Sequence, residues 1–314
     1  MPSTARHYRK YLDPAVLAKI GGLQLRARLI VEGFFSGMHR SPQRGLSIEF
    51  ADHRSYTQGD DIRRIDWRVY ARTDKYYVKE YEQETNLDLM LVVDASESMQ
   101  YRSAQAALSK YEYATAIAAA LAYLALQQRD SVGLAVFAEH LVEFVRPSND
   151  AAHWRTVVDE LERRSGPAKT ALGRALGELA ERLAHRMLVV VISDGFDDVA
   201  GVLRGLKLLR YRRHDLVVCH VLDPAELTLP FRGPTLFEGL EAGGRLLADP
   251  GALRRRYLQE MTQFQARLRA GCARLRADYV LFNTLAPLDV ALSTYLATRS
   301  ARIRQRSSRV MAGR

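Results

Sequence analysis

Short apolar runs alternate with helical patterns through most of this 314-residue chain. The runs are rich in Val, Leu and Ile without strict alternation, which is typical of strands buried on both faces of a sheet. Five such strands are predicted, at 87–93, 132–137, 187–192, 216–222 and 279–282. Helices are predicted at 109–128, 151–164, 171–185, 199–212, 252–276 and 288–298. This rhythm predicts a doubly wound, mostly parallel α/β sheet with helices on both faces, as in Rossmann-like domains.

Two segments depart from the strand–helix alternation. VGLAVFAEHLVEFV, from Val132, contains two apolar runs separated by AEH, which predicts a hairpin and an antiparallel edge strand. TLFEGLEAGGRLLADP, at 235–250, predicts a second hairpin before the long basic helix. The first 85 residues are helical and then polar and turn-rich. We therefore predict a smaller N-terminal helical and β module at 1–85, the α/β domain at 86–300 and a basic tail at 301–314.

The composition is that of a globular protein without a membrane span. Its longest apolar-rich run, ATAIAAALAYLAL at 114–126, is too short to cross a bilayer and predicts a buried helix. The first 20 residues show no apolar signal core with a cleavage site. The two cysteines, Cys219 and Cys272, are too few for a disulfide framework or a thiolate metal site. These features predict a cytoplasmic protein.

The net charge of +10 is concentrated at one end of the chain. From Gly251 to Arg314 there are 13 arginines and three acids, so the first 250 residues are neutral overall. The final stretch, TRSARIRQRSSRVMAGR, has no aromatic side chain on which a base could stack, so specific nucleic-acid binding is not predicted. A solvated helix with a basic tail is favoured, and an acidic partner, an anionic membrane surface or non-specific nucleic acid remain alternatives.

An unusual polar pattern follows the first predicted strand, in LMLVVDASESM. Asp94, Ser96 and Ser98 lie at the carboxyl edge of the predicted sheet, where ligands of such folds gather. In a loop that stays extended, alternate residues point to the same side. Three hard oxygen donors in one loop suit a small hard cation such as Mg²⁺.

Two later loops add oxygen donors at the same predicted edge. Thr170 begins a helix in SGPAKTALGRAL, and Asp194 follows a buried strand in MLVVVISDGFDD, next to the turn glycine Gly195. Each has an ordinary structural interpretation, as a helix N-cap and a turn residue respectively. Together with the first loop they favour a metal site.

This five-residue pattern resembles the metal-ion-dependent adhesion site of von Willebrand factor type A domains. The resemblance implies that Ser96, Ser98 and Thr170 ligate Mg²⁺, with Mn²⁺ and Ca²⁺ as alternatives. It implies that Asp94 and Asp194 bind the ion directly or through water. One coordination position would stay open for an acidic side chain of a partner protein.

The upstream stretch RGLSIEFADHRSYTQGDDIRRIDWRVYARTDKYYVKEYEQE resembles the signature of the bacterial "domain of unknown function 58" family. Many members carry transmembrane helices before this signature, and none is predicted in this chain. The resemblance implies a MoxR-type AAA+ ATPase as partner. It also implies a chaperone-like role in maturing or assembling protein complexes.

Within that signature, GDDIRRIDW combines three acids with neighbouring arginines around Trp67. A second acidic metal site or a hydrolase centre is one interpretation. A turn whose carboxylates pair with arginines and whose indole anchors it to the α/β domain is favoured, because buried charges must be paired. The acids and arginines concerned are Asp60, Asp61, Asp66, Arg63, Arg64 and Arg68.

The alternative to a binding module is a metal-dependent phosphohydrolase of the haloacid dehalogenase type with Asp94 as nucleophile. That chemistry needs a second Asp two residues later as general acid, and Ser96 stands there. Phosphate-loop, zinc-protease and nucleophile-elbow motifs are absent from the sequence. The sequence therefore predicts a non-enzymatic, Mg²⁺-dependent protein-interaction module.

Overall fold

The computed structural model describes residues 14–20, 22–38, 54–56, 67–78, 87–163, 169–241 and 244–288. In chain order its helices are α1 Pro14–Leu17, α2 Leu23–Met38, α3 Trp67–Thr73, α4 Lys110–Gln127, α5 His153–Glu162, α6 Leu172–Arg182, α7 Val199–Tyr211, α8 Pro224–Thr228 and α9 Pro250–Arg274. Its strands are β1 Arg54–Ser55, β2 Tyr77–Val78, β3 Asp88–Asp94, β4 Ser131–Phe137, β5 Leu141–Ser148, β6 Leu188–Ser193, β7 Asp215–Leu222, β8 Thr235–Glu238, β9 Arg245–Ala248 and β10 Asp278–Asn283.

The central feature is a six-stranded sheet in the order β10-β7-β6-β3-β4-β5. Every neighbouring pair is parallel except β4 and β5, which form the antiparallel edge hairpin predicted from the sequence. The second predicted hairpin is the antiparallel pair β8 and β9. The predicted fold class, a mostly parallel α/β sheet with flanking helices, is confirmed.

The two faces of the sheet are covered by different helices. Along β3, Leu89 and Leu91 belong to the buried cluster that includes α4, whereas Met90 and Val92 belong to the cluster that includes α6 and α7. All four side chains are essentially inaccessible to solvent. Successive strand residues face opposite sides, so burial on both faces explains the continuous apolar run that predicted this strand.

The N-terminal helix α2 packs within the α/β unit. The amide of Leu23 donates a hydrogen bond of 2.9 Å to Oε1 of Glu162 in α5, and the guanidinium of Arg28 lies 5.1 Å from the Trp154 ring centroid. Ala27 and Ile30 are fully buried in the cluster that includes α4. The described residues of 1–39 therefore group with those after residue 86, whereas the described residues within 40–86 form a separate unit.

In that second unit, β1 pairs antiparallel with β2, and α3 lies between them in the chain. The rings of Tyr70 and Tyr76 stack with centroids 4.5 Å apart, and the side chain of Trp67 is 56% exposed. The predicted basic tail at 301–314 lies outside the described residues, as does the helix predicted at 288–298 except for its first residue. Of the charged residues named in the signature, the backbone of Arg68 is described, in α3, and the others lie outside: Asp60, Asp61, Arg63, Arg64 and Asp66. In the described part of the chain, every helix is too short or too polar to span a bilayer.

Helices α6 and α7 approach closely because glycines line their contact. A methyl carbon added to Gly205 would lie 2.7 Å from Cβ of Leu176 and 2.8 Å from the carbonyl oxygen of Gly173. At Gly177 the nearest atom would be a Leu208 methyl at 4.0 Å. Backbone and Cβ atoms cannot rotate away, so only the first substitution forces the helices apart.

We expect Gly205→Ala to lower the free energy of unfolding by about 1–3 kcal/mol. Gly177→Ala on the neighbouring helix should be neutral or stabilising by up to about 1 kcal/mol, since alanine is the better helix former. Urea denaturation of both variants beside the wild type measures the difference. Equal stability of the two variants would contradict the close helix contact.

Candidate metal centre

Three loops meet at the carboxyl edge of three neighbouring strands. Asp94 is the last residue of β3, and Asp194 directly follows β6, its parallel neighbour. Thr170 lies beside the end of β4, because the next amide, that of Ala171, donates a 3.1 Å hydrogen bond to the carbonyl of Ala138. The loops that carry the five predicted ligands therefore converge as the strand order requires.

The first loop turns sharply after Asp94. The amide of Ser96 donates to Oδ1 of Asp94 over 3.0 Å, and residues Glu97–Gln100 form a short 3₁₀ turn. The hydroxyl oxygens of Ser96 and Ser98 lie 3.1 Å apart. The hydroxyls converge as predicted, but through an Asx turn and a 3₁₀ turn, whereas the sequence argument assumed an extended loop.

The third loop reaches the first through Asp194. Oδ2 of Asp194 accepts a 2.7 Å hydrogen bond from the Ser98 hydroxyl, and its Oδ1 accepts one of 3.1 Å from the Phe196 amide. Gly195, at φ +65°, makes the intervening turn in a conformation that favours glycine. The carboxylate is thus held at the centre of the cluster by backbone and hydroxyl donors.

Thr170 is joined to the first loop through a residue that the sequence argument did not include, Glu241. The Thr170 hydroxyl donates to Oε1 of Glu241 over 2.6 Å, and the Thr170 amide donates to Oε2 over 3.1 Å. The Ser98 amide also donates to Oε1, at 3.4 Å. Helix α6 has Ala171 as its N-cap and no side-chain capping bond, so the Thr170 hydroxyl does not cap the helix.

Asp94 is completely buried, and both of its carboxylate oxygens are hydrogen-bonded. Besides the Ser96 amide at Oδ1, the Ser193 hydroxyl donates to Oδ2 over 2.5 Å. Burial, followed by the negative charge of Asp194, raises the pKa of Asp94 to about 7. A cation beside this carboxylate would offset both causes.

Lys110, at the first position of α4, supplies a buried positive charge. Its ammonium lies 2.7 Å from Oδ2 of Asp194 and 2.6 Å from Oε1 of Glu226 in α8. Burial acts to lower the pKa of Lys110, but the two carboxylates outweigh it and raise the pKa above the ordinary value. The ammonium therefore neutralises part of the negative charge of the cluster.

His220, in β7, fixes the backbone of the third loop. Its Nε2 lies 2.7 Å from the carbonyl oxygen of Asp194, and its Nδ1 lies 2.6 Å from the Tyr279 hydroxyl. Since a carbonyl can only accept, Nε2 carries the proton and the tyrosine hydroxyl donates to Nδ1. Burial lowers the pKa of His220 to about 4, which keeps the ring neutral.

Sequence reasoning missed four residues that shape this cluster: Lys110, Ser193, Glu226 and Glu241. Lys110 had a usable signal, because it is the one basic residue in the mostly apolar helix KYEYATAIAAALAYLALQ. Glu226 also had one, because DPAE at 223–226 is a capping-box pattern, and the structure shows that box. Glu241 had none, since a glutamate in a hairpin loop is ordinary.

The donor set fits a hard divalent cation. All the polar side-chain atoms of the five predicted ligands are carboxylate or hydroxyl oxygens, which Mg²⁺ and Mn²⁺ prefer. Among the residues that the structure describes, no three His, Cys, Asp or Glu side chains converge as a metal site, so any ion here depends on the hydroxyls. Asp94, Ser96 and Asp194 are buried, whereas Ser98 and Thr170 are partly exposed, so the cluster is accessible from one side.

The fold and this cluster define an α/β domain with a candidate cation site at the carboxyl edge of its sheet. The model of the family described as "Protein of unknown function DUF58" matches residues 52–267, so the chain belongs to this family. The family predicted from the upstream signature is therefore confirmed. Uncharacterized protein Rv1480 of Mycobacterium tuberculosis (strain ATCC 25618 / H37Rv) is 27% identical over 234 residues, 74% of this chain and 73% of the relative. Uncharacterized protein Mb1516 of Mycobacterium bovis matches over the same extent.

The solved structures that align with this chain include two proteins from Bacteroides species and one VWA domain. BatB from Bacteroides thetaiotaomicron aligns with a TM-score of 0.47 at 16% identity, covering 69% of this chain and all of that one. An aerotolerance-related membrane protein from Bacteroides fragilis aligns with a TM-score of 0.48 at 19% identity, and the alignment covers 70% of this chain and 100% of that one. The SpRpn10 VWA domain aligns with a TM-score of 0.40 at 12% identity, and the alignment covers 67% of this chain and 95% of that one.

Proposed function

We propose that this protein is a non-enzymatic, Mg²⁺-dependent protein-interaction module. The observation that carries the proposal is the meeting of three separate loops, in which the Ser98 hydroxyl contacts both Ser96 and Asp194 and the Ser98 amide shares a carboxylate with Thr170. Nothing in the packing of three strand ends requires such a set of oxygens.

In this proposal Ser96, Ser98 and Thr170 hold the ion with their hydroxyls, and Asp94 and Asp194 supply negative charge directly or through water. The ion supplies a positive point charge at which an acidic side chain of another protein is bound. The buried carboxylates lie behind the hydroxyls, so the partly exposed Ser98 and Thr170 face the approaching partner. Mn²⁺ and Ca²⁺ are alternatives to Mg²⁺.

The environment of Asp94 does not favour the phosphohydrolase alternative. A carboxylate nucleophile must present a free oxygen to its substrate. Asp94 is inaccessible to solvent, and its two oxygens accept hydrogen bonds from Ser96 and Ser193. A general acid is also missing at position 96, where the hydroxyl of Ser96 is buried.

The proposed partner is a MoxR-type AAA+ ATPase in the cytoplasm, and the proposed role is chaperone-like maturation or assembly of protein complexes. Family membership supports this partner by association. The cation site supplies the physical means, because it offers a binding point for an acidic side chain. We propose no specific nucleic-acid binding.

A test of the metal site uses Thr170, the ligand from the middle loop. Thr170→Val removes the hydroxyl at nearly constant shape, and Thr170→Ser keeps it. We expect the affinity for Mn²⁺ to fall by about 10-fold or more in the valine variant and to stay near wild type in the serine variant, since even outer-shell changes cost this much. Isothermal titration measures both, and equal affinities for the two variants would exclude Thr170 from the site.

A test of the partner uses the purified full chain as bait for cell extract, with Mg²⁺ or with chelator. We expect a MoxR-type ATPase to be recovered with Mg²⁺ and lost with chelator. Thr170→Val as bait should show the loss without chelator, and Thr170→Ser should not. Recovery of the same ATPase under all conditions would contradict metal-dependent binding.

A further inference from the structure

The β8–β9 hairpin brings a carboxylate of the chain itself to the candidate metal centre. Glu241, in the loop of this hairpin, accepts hydrogen bonds from the hydroxyl and amide of Thr170 and from the amide of Ser98. Thr170 and Ser98 are the two predicted ligands on the accessible side of the cluster. Glu241 therefore lies where an acidic side chain from outside would have to enter.

The rest of the hairpin is poorly buried. On its strands Leu236, Leu246 and Leu247 are 52%, 60% and 70% exposed. Its loop is closed by a hydrogen bond of 2.7 Å from the amide of Gly239 to the carbonyl of Gly244. Because few apolar side chains are covered, moving this hairpin away from the cluster exposes little new surface.

Glu241 adds a carboxylate to a cluster that holds more acidic than basic side chains. Asp94, Asp194, Glu226 and Glu241 all belong to the hydrogen-bonded cluster, and among its described members Lys110 is the basic side chain that opposes them. A divalent cation beside Ser98 and Thr170 would attract the Glu241 carboxylate, which already accepts hydrogen bonds from both residues.

We propose that Glu241 is an intramolecular ligand of the cation site, occupying the coordination position that an acidic side chain of a partner protein takes on binding. The β8–β9 hairpin then closes the site in the free protein, and a partner must displace it. This inference rests on the proposed function, because it requires an ion held by the three loops. It adds the occupant of the open position and the segment that must move.

The test measures the water molecules on bound Mn²⁺ by water-proton relaxation in the full chain. Glu241→Ala should raise the relaxation rate per bound ion by the increment of about one coordinated water, since Mn²⁺ fills a lost position with solvent. Glu241→Gln, which keeps the shape of the side chain, should change it in the same direction. Glu238→Ala is the matched control, because Glu238 lies on the same hairpin, exposed and paired with Arg245.

Acetate serves as the probe for a partner's carboxylate. In Glu241→Ala loaded with Mn²⁺, we expect acetate to lower the relaxation rate at concentrations that leave the wild type and Glu238→Ala unchanged. Hydrogen exchange of the amides of Thr170 and Ser98, which donate to Glu241, should quicken in Glu241→Ala, which reports loss of this contact independently of the metal.

The outcomes separate the two proposals. If Mn²⁺ binds and Asp94→Asn abolishes the binding, but Glu241→Ala and wild type show the same relaxation and the same response to acetate, the role of Glu241 is overturned and the metal site stands. If no variant and no wild-type sample shows Mn²⁺ binding that depends on Asp94, the proposed function fails and this inference fails with it.

Discussion

We expect that replacing Asp94 by asparagine strongly weakens the proposed binding of Mg²⁺ and Mn²⁺ without unfolding the protein. The amide can still accept the hydrogen bond from the Ser96 amide that the carboxylate accepts at 3.0 Å. The substitution removes the buried negative charge. We therefore expect the metal affinity to fall by about 100-fold or more, which exceeds the usual effect of changing a residue outside the ligand shell. Isothermal titration of the wild type and the variant measures the loss.

The stability of the metal-free Asp94→Asn protein provides an internal check. Burial and Asp194 raise the pKa of Asp94 to about 7. A carboxyl whose pKa rises on folding binds its proton more tightly in the folded state, so its contribution to stability is lost as the pH rises toward 7. At pH 8 with chelator, the variant should therefore be at least as stable as the wild type.

The matched control for Asp94→Asn is Asp198→Asn, the same substitution four residues after Asp194. Asp198 is exposed and caps α7 through the amides of Ala200 and Gly201. Asparagine caps a helix about as well as aspartate does, so neither metal affinity nor stability should change. Metal uptake by Asp94→Asn at wild-type affinity would refute the assignment of the site.

The largest effect on stability is expected for Lys110→Met. The ammonium of Lys110 is inaccessible to solvent and pairs with both Asp194 and Glu226. Methionine fills the same space but leaves the two carboxylates without their cation. Removing one partner of a buried ion pair costs about 3–5 kcal/mol, and urea denaturation with chelator present measures that cost.

The same substitution on the surface is the control for Lys110→Met. Lys207, on the exposed side of α7, should tolerate methionine with a change within about 0.5 kcal/mol. A loss of less than about 1 kcal/mol in Lys110→Met would show that Asp194 and Glu226 are neutralised by other means.

The strands and helices of the α/β domain were predictable because their signals are local. A short apolar run rich in β-branched residues, such as Leu188–Ser193, predicts a central strand, and Ser109 with Glu112 forms the capping box that begins α4. The packing of α2 on α5 was not predictable, since Leu23 meets Glu162 across a long stretch of chain. Such contacts depend on the closed fold.

Some residues of the candidate site were predictable from the sequence and others were not. Asp94 ends β3 and Asp194 directly follows β6, its parallel neighbour, so the sheet order alone brings them to one edge. The position of Glu241 was not predictable, because it depends on how a distant hairpin packs over that edge, and the sequence signal of Lys110 did not show which carboxylates its ammonium meets. A buried ammonium and an intramolecular carboxylate change the charge of the site, and neither leaves a pattern around the DxSxS loop.

The most direct test of the account is an X-ray structure of the full chain with Mn²⁺, located by its anomalous scattering. We expect one ion bound by oxygens of the Asp94–Ser98 loop and of Thr170, at about 2.1–2.2 Å, with Asp194 in direct or water-mediated contact. The proposed metal site is contradicted if the anomalous map shows no ion there, or an ion that the Ser96 and Ser98 hydroxyls do not contact.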